Sequence, residues 1–143
     1  MYLDSAYIAK YYVNEPDAAA VRKAIRRASS LCSSSWALAE VTCVFRWHVR
    51  EGSLTLAQGR ELIDLFRRHV ESGVWNLTPV SEPLLRKTAT LIRGLPADVP
   101  LRAGDAIHIA TALEVGEPEI WTNDRHLLAA AAHFGIVGRS ARS

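Results

Sequence analysis

The sequence is poor in cysteine and in long apolar runs, and each shortage excludes a class of protein. Its two cysteines, Cys32 and Cys43, form no CxxC pair, which argues against a zinc ribbon or a dithiol redox centre. Both lie among apolar neighbours, so we expect small buried hydrophobic residues in a reducing cytoplasm. No apolar run approaches the roughly 20 residues that span a bilayer, and no basic leader precedes the first acidic residue. We therefore expect a cytoplasmic protein with no membrane segment and no signal peptide.

Lysine is scarce as well, since 14 of the 17 basic residues are arginine. The net charge of +2 is too small to indicate a nucleic-acid-binding protein by itself. Guanidinium groups match phosphate geometry better than ammonium groups do. Several of these arginines could therefore contact a phosphate backbone, although a solvated helix face is the simpler explanation for any single one.

What the sequence does have is a regular alternation of short apolar segments with amphipathic ones. Its 143 residues are the length of one domain, and 49% of them are hydrophobic, enough for a packed core. The pattern predicts strands at 1–3, 31–33, 75–78, 119–122 and 135–137, and helices at 5–13, 17–27, 36–50, 54–71, 82–92, 105–115 and 125–133. Short apolar strands that alternate with helices favour a parallel sheet covered on both faces. We expect a single α/β domain over residues 1–143.

Glu40 stands in surroundings where a carboxylate is costly. Its helical neighbours at i±3 and i±4 are Trp36, Ala37, Cys43 and Val44. An ionised carboxylate on such a face needs a partner, and no lysine or arginine lies within one turn of it. The alternative is a helix that turns Glu40 toward the rim of the protein.

Three aspartates also stand in apolar surroundings. Asp105 begins an otherwise apolar helix, where capping and the helix dipole offer an alternative explanation. Asp4 and Asp124 each follow an apolar strand and precede a helix. In open parallel sheets, ligands bind outside the carboxyl ends of the strands where the strand order reverses. These two aspartates could thus face one crevice, with a plain helix cap as the alternative for Asp124.

Gathered carboxylates point to a divalent metal. Held close together they repel one another, and burial raises their pKa values. An all-oxygen site suits Mg²⁺ or Mn²⁺, and one or two such ions can activate water and stabilise charge on a phosphodiester. The acids therefore favour phosphoryl chemistry over proteolysis, and no GxSxG, HExxH or GxxxxGK[ST] string indicates another reaction.

Histidine and tryptophan carry weaker signals. His108 lies one turn after Asp105 and could bond a ligating carboxylate or a phosphate, but a satisfied core histidine is the simpler interpretation. Tryptophans can stack on bases, yet all four here lie in core-like patterns. We therefore expect burial of Trp36, Trp47, Trp75 and Trp121.

Four blocks of sequence carry a family resemblance that extends over almost the whole chain. In chain order they are MYLDSAYIAKYYVNEP, SSSWALAEVTCVFRWHVREG, LRAGDAIHIATALEVG and IWTNDRHLLAAA. Their order and spacing resemble those of PIN-domain proteins, and especially of the VapC-type toxins of bacterial toxin–antitoxin pairs. Trp36 departs from the pattern, being bulkier than the residue expected there.

The resemblance implies a fold and a site. The fold would be an α/β/α sandwich around a five-stranded parallel sheet, with the strands that end at Asp4 and Asp124 adjacent at the switch point. Asp4, Glu40, Asp105 and Asp124 would bind Mg²⁺ or Mn²⁺ and support hydrolytic cleavage of RNA. Ser5 would lie behind these ligands.

The resemblance also implies partners. Such proteins form homodimers, and an antitoxin protein holds them inactive with a C-terminal segment over the acidic groove. The expected function is therefore a metal-dependent endoribonuclease that is the toxin of a type II toxin–antitoxin system. Two alternatives share the fold: an RNA-processing nuclease without an antitoxin, and a non-catalytic module that binds metal or a partner.

Overall fold

The computed structural model describes residues 1–141, in which five short strands form one parallel sheet with the order β3-β2-β1-β4-β5. The strands are β1 (Tyr2–Leu3), β2 (Cys32–Ser34), β3 (Asn76–Thr78), β4 (Glu119–Trp121) and β5 (Val137–Arg139). The helices are α1 (Ser5–Tyr12), α2 (Ala18–Arg27), α3 (Ala37–Arg50), α4 (Leu56–Glu71), α5 (Glu82–Gly94), α6 (Ala103–Glu114) and α7 (Arg125–Ala132). Across residues 1–141, no helix is both long enough and apolar enough to cross a bilayer. The predicted five-stranded parallel sheet is confirmed.

The predicted elements all exist, and two shifts in their bounds matter. Helix α6 begins at Ala103 rather than at position 105, so Asp105 lies inside its first turn and Arg102 is the N-cap residue. Strand β5 begins at Val137 rather than at position 135. The reason is Gly135, whose φ of +72° continues the turn that ends α7.

The core lies on both faces of the sheet. Tyr2 and Leu3 of the central strand are fully buried and, as neighbours in a strand, point to opposite faces. Leu3 packs in a cluster that includes Phe45 of α3, whereas Tyr2 packs with Ile109 of α6. Helices therefore cover the sheet on both sides, which explains why the two residues of the central strand are apolar and buried.

The strand order reverses beside β1. The chain moves outward from β1 to β2 and β3, and then crosses back to add β4 on the other side of β1. Leu3 pairs with Trp121, and the amide of Asp4 donates to the Trp121 carbonyl at 3.1 Å. The strands before Asp4 and Asp124 are thus neighbours at the switch point, as predicted.

Three predictions of burial are wrong on helix α3 and its N-cap residue. Trp36 and Trp47 are 39% and 54% exposed, and Cys43 is exposed as well. The helix instead packs against α1 and α4 with its other side, where Ala37, Val41, Phe45 and His48 are buried. Because apolar residues occupy both sides of α3, their spacing did not reveal which side faces the core. Trp75, in contrast, is buried as predicted.

Candidate active site

Asp4 lies at the carboxyl end of the central strand, buried to 6% exposure. It caps α1, since Oδ1 accepts from the Tyr7 amide at 2.8 Å. Oδ2 accepts a short hydrogen bond from the Thr122 hydroxyl. Burial raises the pKa of the Asp4 carboxyl to about 6, although both hydrogen bonds oppose this shift. An ionised Asp4 is therefore costly in this site and would gain from a nearby cation.

Glu40 lies in the first turn of α3, with its carboxylate held at both oxygens. Oε1 accepts from Trp36 Nε1 at 2.7 Å, and Oε2 lies 3.1 Å from His108 Nε2. Burial would raise the pKa of this carboxyl, but hydrogen bonds from His108, Ser5 and Trp36 together hold it below its usual value. The partner that the sequence lacked locally is thus a histidine from another helix, and Glu40 is kept ionised.

His108 is 2% exposed and connects Glu40 to the interior of the sheet. Because an ionised carboxylate only accepts, Nε2 carries the hydrogen in the bond to Glu40, and Nδ1 lies 3.0 Å from Tyr2 Oη. Ser5 Oγ also lies 3.0 Å from Nε2. Both interpretations of His108 therefore hold, because it is a satisfied core histidine and it also holds an acidic side chain.

Asp105 and Asp124 lie on either side of one guanidinium group. Arg102 Nε donates to Asp105 Oδ2 at 3.1 Å, and its Nη2 lies 3.4 Å from Asp124 Oδ2. Arg102 is 78% exposed, whereas Asp105 and Asp124 are 16% and 32% exposed at their side chains. Asp105 is not a helix cap, since Arg102 occupies that position. A cation already bridges this pair of carboxylates.

Asp124 is a helix cap, which was the alternative explanation for it. Oδ1 accepts from the amides of His126 and Leu127 at 2.8 and 3.0 Å. Its own amide donates to Thr122 Oγ1, the hydroxyl that bonds Asp4. Because Oδ2 still faces Arg102, the cap accounts for only one of the two oxygens. Asp124 therefore caps α7 with Oδ1 while Oδ2 faces the same side as Arg102.

The four carboxylates, which we name the acidic edge (Asp4, Glu40, Asp105 and Asp124), are connected through shared neighbours. Thr122 joins Asp4 to Asp124, and Arg102 joins Asp124 to Asp105. Glu40 adjoins Gly104, the residue before Asp105. Among residues 1–141, no group of three or more His, Cys, Asp or Glu side chains forms a ready metal site. Each carboxylate is held instead by its own donors, as described above.

Several residues that bond to the acidic edge were not predicted from the sequence. Arg102 stands three positions before Asp105, a spacing that places two side chains on one helix face and was the available signal. Thr122 is a polar residue directly after a buried strand, which also marks this edge of the sheet. Trp36 stands four positions before Glu40, which was a signal of the same kind, although its bond also depends on an indole that turns away from the core.

Comparison with known proteins identifies a family whose model matches most of the chain. No curated protein matches the chain significantly. The sequence does match the PIN domain family over residues 1–133 of 143, a range that contains all four acids of the acidic edge. PIN domains are generally metal-dependent nucleases. With its five-stranded parallel sheet and a match over nearly its full length, this chain belongs to the PIN domain family.

Proposed function

We propose that this protein is an endoribonuclease dependent on Mg²⁺ or Mn²⁺ that hydrolyses RNA phosphodiester bonds at the acidic edge. The observation that carries the proposal is Asp4, a carboxylate buried at the switch point of a parallel sheet with a raised pKa. The free-energy cost of ionising this buried carboxyl is explained if a cation binds beside it. We also propose that residues 1–143 form one domain. Strand β5 lies beyond the matched range but pairs with β4 in the same sheet.

The residues present fit a divalent cation. The donor set is all oxygen, which suits Mg²⁺ or Mn²⁺ rather than zinc. Arg102 lies between Asp105 and Asp124 as a positive charge where a metal ion would bind. Each carboxylate also has lone pairs that its present partners leave available, because a carboxylate offers about four acceptor sites. When bound, the metal supplies an activated water and stabilises charge on the phosphodiester.

The four carboxylates of the acidic edge have different proposed roles. Asp4 and Asp105 are the principal ligands, and Asp124 assists with the oxygen that faces Arg102. Glu40 ligates or accepts a hydrogen bond from the attacking water, because its lowered pKa keeps it an acceptor. His108 and Trp36 fix the direction of that carboxylate by bonding one oxygen each.

We propose further that the protein is the toxin of a type II toxin–antitoxin system of the VapC type, a cytoplasmic homodimer held inactive by an antitoxin. The support is the order and spacing of the four sequence blocks. A non-catalytic module that binds metal or a partner is the second candidate. Turnover of RNA separates the two candidates.

Expression of the protein in bacteria, followed by mapping of cleavage sites in total RNA, tests the proposal. The wild type and Asp64→Asn should cut RNA and arrest growth, since Asp64 is an exposed acid on α4. Asp105→Asn should do neither. If Asp105→Asn cuts RNA at the wild-type rate, the site is wrong. If the wild type cuts RNA without slowing growth, the toxin role is wrong and the nuclease stands.

Gly104 permits a close approach that makes it a sensitive test of Glu40. A Cβ at this position would lie 2.6 Å from Glu40 Oε1 and 3.0 Å from Trp36 Nε1. Gly104→Ala should therefore swing the carboxylate away and lower the cleavage rate by about ten- to a hundredfold. The fold should be as stable or slightly more stable, because alanine is favoured over glycine in a helix.

The matched control is Gly94→Ala, at the end of α5, where an added Cβ meets no atom within 4 Å. Cleavage rates and melting temperatures of both variants should be compared with the wild type. An unchanged rate in a folded Gly104→Ala protein would contradict the role given to the Glu40 carboxylate. Lower stability of that variant would indicate packing strain instead.

A further inference from the structure

Helix α3 presents an exposed aromatic face beside the acidic edge. Trp36, Glu40, Cys43 and Trp47 follow one another at spacings of four, three and four residues, which places them on one side of the helix. The opposite side, with Phe45, is buried against α1 and α4. We name the exposed side the tryptophan face. Both indoles on it are more than a third exposed.

The tryptophan face is continuous with the acidic edge. The indole of Trp36 donates to Glu40, and it lies directly over the Gly104 backbone at the start of α6. Trp36 is thus held at the proposed reaction centre while much of its ring remains in solvent. From Trp36 to Trp47 the helix rises eleven residues, or about 16 Å. At a stacked spacing of about 3.4 Å this is the length of roughly five nucleotides.

Two exposed arginines lie along one edge of the tryptophan face and offer contacts to an anionic occupant. Arg46 and Arg50 stand on α3, three residues after Cys43 and Trp47 respectively, and they also line the groove between α3 and α4. At the other end of the face, Arg102 is paired with Asp105 and Asp124. Bases stack on aromatic side chains largely regardless of sequence, while arginine binds the phosphates between them. This combination fits a single strand of RNA, whose bases are free to stack, better than a duplex.

We propose that Trp36 and Trp47 form a stacking platform that holds the bases of single-stranded RNA next to the phosphodiester to be cleaved. The proposal rests on the proposed nuclease function and defines the substrate as unpaired RNA. It also explains why two large apolar side chains remain exposed on the side of α3 that carries Glu40.

Binding is measured without turnover, so that the platform is tested separately from cleavage. Fluorescence anisotropy of a labelled 12-nucleotide oligouridylate is recorded in EDTA. Trp47→Ala should weaken binding by about five- to a hundredfold, and Trp47→Phe should retain most of the affinity. Val74→Ala, an exposed apolar residue outside α3, is the control and should bind normally. A duplex of the same length should bind equally to the wild type and to Trp47→Ala.

Trp36→Phe separates the two roles of its indole. A phenyl ring can still stack on a base, but it cannot donate to Glu40. This variant should therefore bind the oligouridylate nearly as well as the wild type and cleave RNA more slowly. Loss of binding in Trp36→Phe together with normal binding in Trp47→Ala would contradict a platform that extends along α3.

Cys43 offers a probe that needs no substitution. Its thiol is exposed between the two tryptophans, whereas burial raises the pKa of the Cys32 thiol to about 11 and makes it unreactive near neutral pH. Oligouridylate should slow the alkylation of Cys43 by iodoacetamide, read by mass spectrometry. Alkylation at the same rate with and without saturating RNA would contradict the proposal.

The outcomes distinguish this proposal from the nuclease function. If Trp47→Ala binds single strands as the wild type does, the platform is wrong, even where RNA is still cleaved. If RNA binds through Trp47 but is never cleaved with Mn²⁺, the nuclease function fails and the binding surface stands. If Trp47→Ala changes only the sedimentation of the protein, the face is covered by a second copy and the platform is overturned.

Discussion

Asp4→Asn should lower the rate of RNA cleavage at least a hundredfold while making the metal-free protein more stable at neutral pH. Loss of one principal ligand removes several kcal/mol of transition-state stabilisation. The gain in stability comes from the carboxylate, whose pKa is about 6 in the fold and 3.8 as its ordinary value. Above pH 6 the folded protein must keep this buried group ionised, which lowers its stability relative to the unfolded chain.

The sign of the pH dependence follows from these two values. Between about pH 4 and pH 6 the folded protein retains a proton that the unfolded chain has released, so stability is lost as the pH rises through this window. The penalty is complete above pH 6. Asparagine removes this penalty, at the expense of the charge-assisted hydrogen bond from the Thr122 hydroxyl. We expect a gain on the order of 2 kcal/mol at pH 7.

Melting temperatures in EDTA at pH 4 and pH 7 measure this effect. Asp4→Asn should melt about 5 °C above the wild type at pH 7 and near the wild type at pH 4. Asp98→Asn, which changes an exposed acid in the loop before α6, should differ at neither pH. An Asp4→Asn protein that is destabilised at pH 7 would contradict the burial cost that we assign to this carboxylate.

Metal removal should have the largest effect on activity, and metal addition a large effect on stability. Chelation with EDTA should abolish RNA cleavage, and Mn²⁺ or Mg²⁺ should restore it. Because the ion binds only the folded state, at one hundred times its Kd it should stabilise the protein by about 3 kcal/mol. Asp4→Asn and Asp105→Asn should lose this stabilisation, whereas Asp64→Asn should keep it.

Arg102 makes the metal prediction more specific. Its guanidinium bridges Asp105 and Asp124 and thus competes with the ion for the same oxygens. Arg102→Ala should therefore bind Mn²⁺ several-fold more tightly than the wild type, as measured by titration calorimetry. Weaker Mn²⁺ binding in this variant would show that Arg102 supports the metal site rather than occupying it. Cleavage that persists after exhaustive chelation would overturn the metal-dependent mechanism.

Much of the fold was accessible from the sequence because the strands are short and apolar and the helices alternate with them. The same alternation located Asp4 and Asp124, since a polar residue after a buried strand marks the carboxyl edge of a parallel sheet. Glu40 was marked by its apolar neighbours alone. The proposal that these acids bind metal remains a prediction.

The long-range contacts that hold the acidic edge could not be predicted, because they join residues far apart in the chain. His108 lies 68 positions from Glu40, so no local pattern connects the two. The orientation of Trp36 and Trp47 was equally hidden, since α3 is apolar on both sides and only packing against α1 and α4 selects the buried one. Hydrophobic spacing indicates that a helix has a face, but not which neighbours will cover it.

The hydrogen bond from Thr122 to Asp4 spans 118 positions, and this separation has a consequence during synthesis. At about 5 to 20 residues per second, roughly 6 to 24 s pass between the appearance of Asp4 and that of Thr122. Strand β4, which lies beside β1, is made equally late. A growing chain thus carries Asp4 and Glu40 long before the acidic edge can assemble. With the site as proposed, the nuclease cannot act on RNA until Thr122 and Asp124 have been made.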